Sequence, residues 1–206
     1  VFNLEKDNHT WEAIEDPITF PKNKTWKQYI DSRRLEITCG EAPYLVSRYD
    51  ASTGEFIVPT NRRIGQLDRK LRVVNENTTE YDDWIKWSIR AFESCYGYEY
   101  QGDNLLIARI NLLLTFIDYY KERWENDPDE KLLRQITNKI VWNIWQMDGL
   151  KDTVPHGKPY EEFCQMTIFD MLSDTVEEEE KPEVVPCRIY NWRKGNSVIF
   201  KKLKEN

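Results

Sequence analysis

Asp68 and Lys70, two residues apart, form the only arrangement in this sequence that suggests a catalytic metal site. A metal-dependent nuclease brings carboxylates together on a divalent cation, often with a lysine nearby that helps to position water. Asp50 would supply the second carboxylate. The alternative is that Asp68 is an ordinary helix charge. A nucleophilic role for Cys39, which two glutamates flank, has less support because no histidine partner is identifiable.

The motifs of nucleotide-dependent enzymes are missing from the chain. A nucleotide-binding α/β fold needs closely spaced glycines where the backbone meets its ligand, and no two of the eight glycines lie close enough. Neither a phosphate-binding loop nor a GxSxG, HExxH or kinase motif occurs. The four widely spaced cysteines predict free thiols in a reducing cytoplasm. We therefore predict no catalytic residue, no cofactor and no metal.

Positive charge is concentrated in two segments of a chain whose formal net charge is −7. Residues 173–183 carry six acidic residues and one lysine, a contribution of −5 that leaves −2 for the rest. Residues 62–72 carry five basic residues and residues 188–204 carry six. Such clusters either contact phosphates or form solvated faces. The predicted DNA-contacting residues are Arg48, Arg62, Arg63, Arg69, Lys70, Arg72, Arg188, Trp192, Arg193 and Lys194.

The second basic segment also carries aromatic residues. Tyr190, Trp192 and Phe200 alternate with its positive charges, and such rings can stack on nucleic-acid bases. The alternative, which we prefer slightly, is that these rings dock on the helical core. The segment therefore predicts either a nucleic-acid contact or a packing contact.

A helix over residues 101–124 is the element around which the chain is expected to fold. Apolar residues cover nearly all of its sides, which predicts a buried central helix wrapped by other segments. A membrane span is the competing interpretation. The apolar run is interrupted by Arg109 and Asn111 and is shorter than the roughly 20 residues that a span needs, so we expect a soluble core helix.

The rest of the chain predicts further helices and two hairpins. Helical spacing of apolar residues favours a basic amphipathic helix after Pro59, a helix from Thr78 or Thr79, and one from Asp127 through VWNIWQM. A short helix is expected from Thr25, within an irregular arm over residues 1–34. β-prone runs around turn residues predict hairpins at 43–58 and 186–203, and residues 173–186 are expected to form a mobile acidic linker. The predicted fold class is α+β, mainly helical, in one domain.

Several segments of the chain are distinctive beyond their periodicity. They are LEITCGEAPYLVSRYD, RIGQLDRKLRVVNEN, YGYEYQGDNLLIAR and IVWNIWQMDGL, within residues 17–151. Together they resemble a region of bacterial adenine-specific DNA methyltransferases and restriction-modification proteins often described as restriction endonuclease subunit M. The terminal RIYNWRKG is similar to the hairpin that ends such proteins. The resemblance implies a setting in DNA modification or defence, with DNA as the macromolecular ligand.

The same resemblance does not imply methyl transfer by this chain. Adenine methyltransferases of that class hold the flipped base with (D/N/S)PP(Y/F/W) and hold S-adenosylmethionine at a glycine-bearing strand-to-helix turn. The chain has no PP dipeptide, and EAPY at residues 41–44 lacks the first proline. The resemblance thus implies a noncatalytic part of such a system.

Three functions follow from these observations. The leading hypothesis is a noncatalytic DNA-contacting or target-recognition accessory that binds duplex DNA and a methyltransferase or nuclease chain in the cytoplasm, without a membrane contact. The second is an acidic interaction or inhibitor protein, of the kind that a phage could carry, that binds a DNA-processing nuclease. The third is a metal nuclease that uses Asp50, Asp68 and Lys70.

Overall fold

The computed structural model describes residues 16–50, 52–156 and 185–204. These ranges form a mainly helical α+β structure, as predicted. The α-helices are α1 (Trp26–Asp31), α2 (Gln66–Asn77), α3 (Tyr81–Glu93), α4 (Gly102–Trp124), α5 (Glu130–Asn143) and α6 (Lys201–Lys204). The strands are β1 (Arg34–Glu36), β2 (Cys95–Glu99), β3 (Ile144–Gln146), β4 (Arg188–Asn191) and β5 (Asn196–Ile199).

The central helix is confirmed as α4. Its inner side packs through fully buried residues such as Phe116 and Tyr119, next to α5 and the sheet. No described segment covers its outer side, where Leu106 and Ile110 remain 58% and 46% exposed. The helix is therefore buried on its inner side, and its exposed side includes apolar residues. None of the described helices is long and apolar enough to cross a membrane.

A parallel three-stranded sheet, in the order β1-β2-β3, lies beside the helices. Helices α2 and α3 connect β1 to β2, while α4 and α5 connect β2 to β3. Parallel strands need such long crossovers. Residues 144–146 were predicted to continue a helix, but α5 ends at Asn143 and the chain enters β3. The sequence analysis did not predict this sheet.

Helix α2 is enclosed on all sides. Its residues from Leu67 to Val74 are all buried, because the chain before it and α3 after it cover the side that carries the charges. Gly65 precedes the helix where a Cβ atom would lie 2.5 Å from the backbone oxygen of Leu45. A side chain at Gly65 would therefore force the two segments apart.

The predicted hairpin at 186–203 is confirmed as β4 and β5. Their antiparallel register pairs Arg188 with Ile199 and Asn191 with Asn196, and Gly195 takes a positive φ of 67° at the turn. The hairpin and the residues around it pack on the sheet face opposite the helices. The contacting side chains are Tyr96, Tyr98, Trp145, Met147, Cys187, Ile189 and Phe200.

The other predicted elements are found in part. The hairpin at 43–58 is reduced to one antiparallel bridge between Tyr49 and Phe56, although its turn closes with a 2.8 Å hydrogen bond from Gly54 N to Asp50 O. The short helix after Thr25 is confirmed, with the threonine hydroxyl as its cap. Most of the predicted acidic linker, residues 173–184, and the first fifteen residues of the arm lie outside the described residues.

Candidate functional site

The basic residues of 62–72 are not a solvent-facing cluster. Lys70 is fully buried, and its ammonium group donates to the carbonyl oxygens of Ile30 at 3.0 Å and Ser32 at 2.5 Å and to the Ser94 hydroxyl at 2.6 Å. Burial lowers the pKa of Lys70 to about 8. Lys70 thus joins the end of α1, the residues before β1 and the end of α3, and it is not available to a phosphate.

Three arginines of this segment are buried as well. Arg63 pairs with Asp118 at 2.8 Å, while Arg72 pairs with Glu76 at 2.7 Å and also donates to a backbone carbonyl. Arg69 is only 9% exposed. The prediction that these residues, with Lys70, form a solvent-facing basic side is therefore wrong. An amphipathic pattern locates the apolar side of a helix, but it does not exclude that the charged side is covered too.

Arg62 and Arg48, the two remaining predicted DNA-contacting residues outside the last hairpin, differ in exposure. Arg62 is exposed at the end of a 3-10 helix over Thr60–Arg62. The Arg48 side chain is only 12% exposed and pairs with Asp118 at 3.1 Å. Asp118 therefore offsets one of the two positive charges of Arg48 and Arg63 and holds both guanidinium groups in the fold.

The hypothetical metal site is not assembled. Asp68 is fully buried and accepts a 2.7 Å hydrogen bond from the backbone N–H of Ser47, and burial raises its pKa to about 6. Asp50 is exposed in the turn before Gly54, where it accepts from the backbone N–H of Ser52 at 2.8 Å. Among the residues that the structure describes, no group of three or more His, Cys, Asp or Glu side chains is arranged to hold a metal ion.

The carboxyl ends of the parallel strands were not singled out by the sequence, although ligands of α/β proteins often bind there. Glu99 ends β2, and its carboxylate accepts from the backbone N–H of Gly40 at 2.8 Å, of Tyr100 at 2.9 Å and of Gln101 at 3.0 Å. Both carboxylate oxygens are therefore engaged by the chain itself. Glu99 is therefore not free to bind the ribose of a nucleotide cofactor, as an acidic residue at this place does in nucleotide-binding α/β folds. The absence of a cofactor stays a prediction.

Two further groups at this end of the sheet are also structural. Glu36 accepts from the backbone N–H groups of Tyr44 and Leu45, the latter at 3.0 Å, and burial raises its pKa to about 7. Burial, followed by the charges of Glu36 and Glu99, raises the pKa of the Cys39 thiol to about 12. A thiol with this pKa is not a nucleophile at neutral pH.

The last hairpin presents the remaining predicted residues on one surface. Arg193 and Lys194 are exposed at its tip, and Arg188 is exposed along β4. The Arg193 guanidinium donates to the backbone oxygen of Asp31 at 2.6 Å, and that of Arg188 donates to the Ser197 hydroxyl at 2.9 Å. These bonds orient the two arginines while leaving donor groups at the surface.

Aromatic rings of the hairpin and of α5 pack against one another. The ring centroids of Tyr190 and Trp192 are 4.3 Å apart, and those of Tyr190 and Trp142 are 5.4 Å apart. The Trp192 ring also has the ammonium group of Lys139 at 3.6 Å from its centroid. Trp192 is docked on α5, because its indole N–H donates to Asn143 at 2.7 Å, which supports the packing interpretation. All three rings are only half-buried.

We call these side chains the hairpin surface: Lys139, Trp142, Arg188, Tyr190, Trp192, Arg193 and Lys194. The sequence analysis missed Lys139 and Trp142, which lie on α5. A signal was present, because both positions fall outside the buried stripe of Leu132, Ile136 and Ile140. A tryptophan on the polar side of an amphipathic helix indicates an additional contact.

The chain matches no protein family, no curated protein and no solved structure in the comparisons that were made. The resemblance to restriction-modification proteins therefore stays a prediction.

Proposed function

We propose that this chain is a noncatalytic DNA-contacting accessory of a bacterial restriction-modification system and that the hairpin surface makes the contact. The observation that carries the proposal is the combination of exposed cations and half-buried, mutually packed aromatic rings on one face. Cationic side chains bind backbone phosphates, and aromatic faces stack on unpaired bases. The resemblance of the four sequence segments supports the setting and a partner methyltransferase or nuclease chain.

The roles of the individual residues differ. Arg193 and Lys194 at the tip, with Arg188 along β4, would contact phosphates. Tyr190 and Trp192 would offer ring faces to a base where the duplex is opened. Phosphate contacts fix the position of a protein on DNA without reading its sequence, so target recognition would need a partner chain.

The test is binding of labelled duplex DNA to the full chain over a range of salt concentrations. We expect Arg193→Ala/Lys194→Ala to weaken binding and to reduce the slope of log K against log salt by about 1.8, since each phosphate contact contributes about 0.9. The matched control is Lys131→Ala/Arg134→Ala, which removes the same charge from exposed positions of α5. Equal weakening by the two variants, or no binding at low salt, would overturn the proposal.

An acidic surface favours a second candidate function. The exposed residues at the starts of α3 and α5 are mostly acidic: Glu80, Asp82, Asp83, Glu125, Asp127, Asp129 and Glu130. An inhibitor of a DNA-processing nuclease would present such a surface to the enzyme's basic DNA channel. Inhibition of a nuclease that Asp82→Asn/Asp83→Asn weakens, without DNA binding by the chain, would favour this second function.

A further inference from the structure

Strand β1 has one edge that no other strand of the described ranges occupies. It stands at the end of the sheet order β1-β2-β3, and its pairing with β2 uses the Arg34 N–H, which donates to Ser94 O at 2.9 Å. Backbone groups of successive residues point to opposite sides of a strand. The N–H and C=O of Leu35 therefore point away from β2, and within the described ranges no strand pairs with them.

A groove of about 270 Å³ lies beside this edge, between β1 and the last hairpin. Its walls are mainly apolar and comprise Leu35, Tyr96, Ile189, Val198, Phe200 and Leu203. The Leu35 side chain is 44% exposed. A strand that added to β1 would place alternate side chains in this groove, as in other cases of strand addition to an open sheet edge.

The positive charge around the groove favours an acidic partner. Arg33, Arg34 and Lys204 line it, and none of the described residues that line it is acidic. Arg33 is exposed, whereas Lys204 also pairs with Asp152 at 2.5 Å. Complementary charge favours encounter with an acidic segment and disfavours a basic one.

We propose that the edge of β1 binds an extended segment of a partner protein in which apolar and acidic residues alternate. The partner's backbone would bond to the N–H and C=O of Leu35, its apolar side chains would enter the groove, and its carboxylates would face Arg33. This inference rests on the proposed function for the identity of the partner, the catalytic chain. The surface itself is tested without DNA, so its failure is distinguishable from failure of the DNA contact.

The probe is a labelled peptide of alternating Glu and Val, and its counterpart with Lys in place of Glu is the comparison. With the full chain, we expect the Glu peptide to bind about tenfold or more tightly than the Lys peptide. We also expect hydrogen exchange of the Leu35 amide, measured by NMR, to slow by about tenfold in the complex. Absence of binding at about 1 mM peptide would overturn the proposal.

The same substitution at two different leucines tests whether the peptide binds at the edge of β1. Leu35→Glu places a negative charge in the groove, where it repels the Glu peptide and where a charged side chain discourages strand pairing, and should weaken peptide binding about tenfold. Leu106→Glu, on the exposed side of α4, should leave it unchanged, and circular dichroism checks that both variants fold. Equal loss in both variants contradicts the inference. If the peptide binds only after residues 173–183 are deleted, the inference is also overturned. The chain's own acidic segment would then be the occupant of the groove that competes with the peptide.

Discussion

Replacement of Lys70 by Met should change how stability depends on pH. Burial of the ammonium group lowers the pKa of Lys70 from 10.5 to about 8 in the folded chain. Between these pH values the unfolded chain keeps the proton while the folded chain loses it. The free energy of unfolding of the unmodified protein should therefore rise with pH, since the unfolded state binds more protons in this window.

The size of this rise follows from the pKa shift. One pKa unit corresponds to 1.36 kcal/mol, so Lys70 should add about 3 kcal/mol of stability between pH 8 and pH 10.5. Lys70→Met abolishes this contribution. At pH 7 the variant should be less stable by about 1–3 kcal/mol, because the Ser32 carbonyl loses its 2.5 Å hydrogen bond and is left without a donor.

The assay is urea unfolding at half-unit steps from pH 7 to pH 10, followed by tryptophan fluorescence. The difference between the two proteins isolates Lys70 from other groups that titrate in the same range. Lys131→Met, at an exposed position of α5, is the control and should follow the unmodified protein. Parallel curves for the unmodified protein and Lys70→Met would refute the assignment of a buried, charged Lys70. Such a result would return this residue to the list of candidate phosphate contacts.

Two further substitutions test Glu36, at the end of β1, and Gly65, just before α2. Because burial raises the pKa of Glu36 from 4.5 to about 7, the folded chain keeps a proton that the unfolded chain releases, and stability should fall between these pH values. Glu36→Gln should remove this fall, and urea midpoints from pH 4.5 to pH 7.5 that fall equally in both proteins would contradict it. Gly65→Ala should cost about 1–3 kcal/mol, since its Cβ would lie 2.5 Å from Leu45 O. Gly102→Ala, with its nearest contact at 3.6 Å, is the control in thermal unfolding, and an equal change in both would refute the argument.

The burial of Lys70 also determines which variants can test DNA binding. Substitution of Arg69, Lys70 and Arg72 would remove structural bonds, so any loss of DNA binding would reflect altered folding. Arg193 and Lys194 lie at the tip of an exposed turn, where substitutions leave the buried residues in place. The hairpin surface is therefore the appropriate place to separate recognition from stability.

Local signals in the sequence were sufficient for several elements. The apolar periodicity predicted α4, which runs over Gly102–Trp124, and Asp129 caps α5 through a 2.7 Å bond to Leu132 N, two residues from the predicted cap. Gly195 marked the turn of the last hairpin. These features depend on residues that are neighbours in the chain, so their spacing alone determines them.

The tertiary structure alone decided the sheet and the role of the basic helix. Strands β1 and β3 contain only three residues each, too few for a periodic signal, and their partner β2 is distant in sequence. Lys70 likewise bonds to residues 24 to 40 positions away. The sequence by itself determined where helices and turns form, because those interactions are local. Whether a charge meets solvent or a buried carbonyl depends on which distant segments cover it, and only the folded chain brings those segments together.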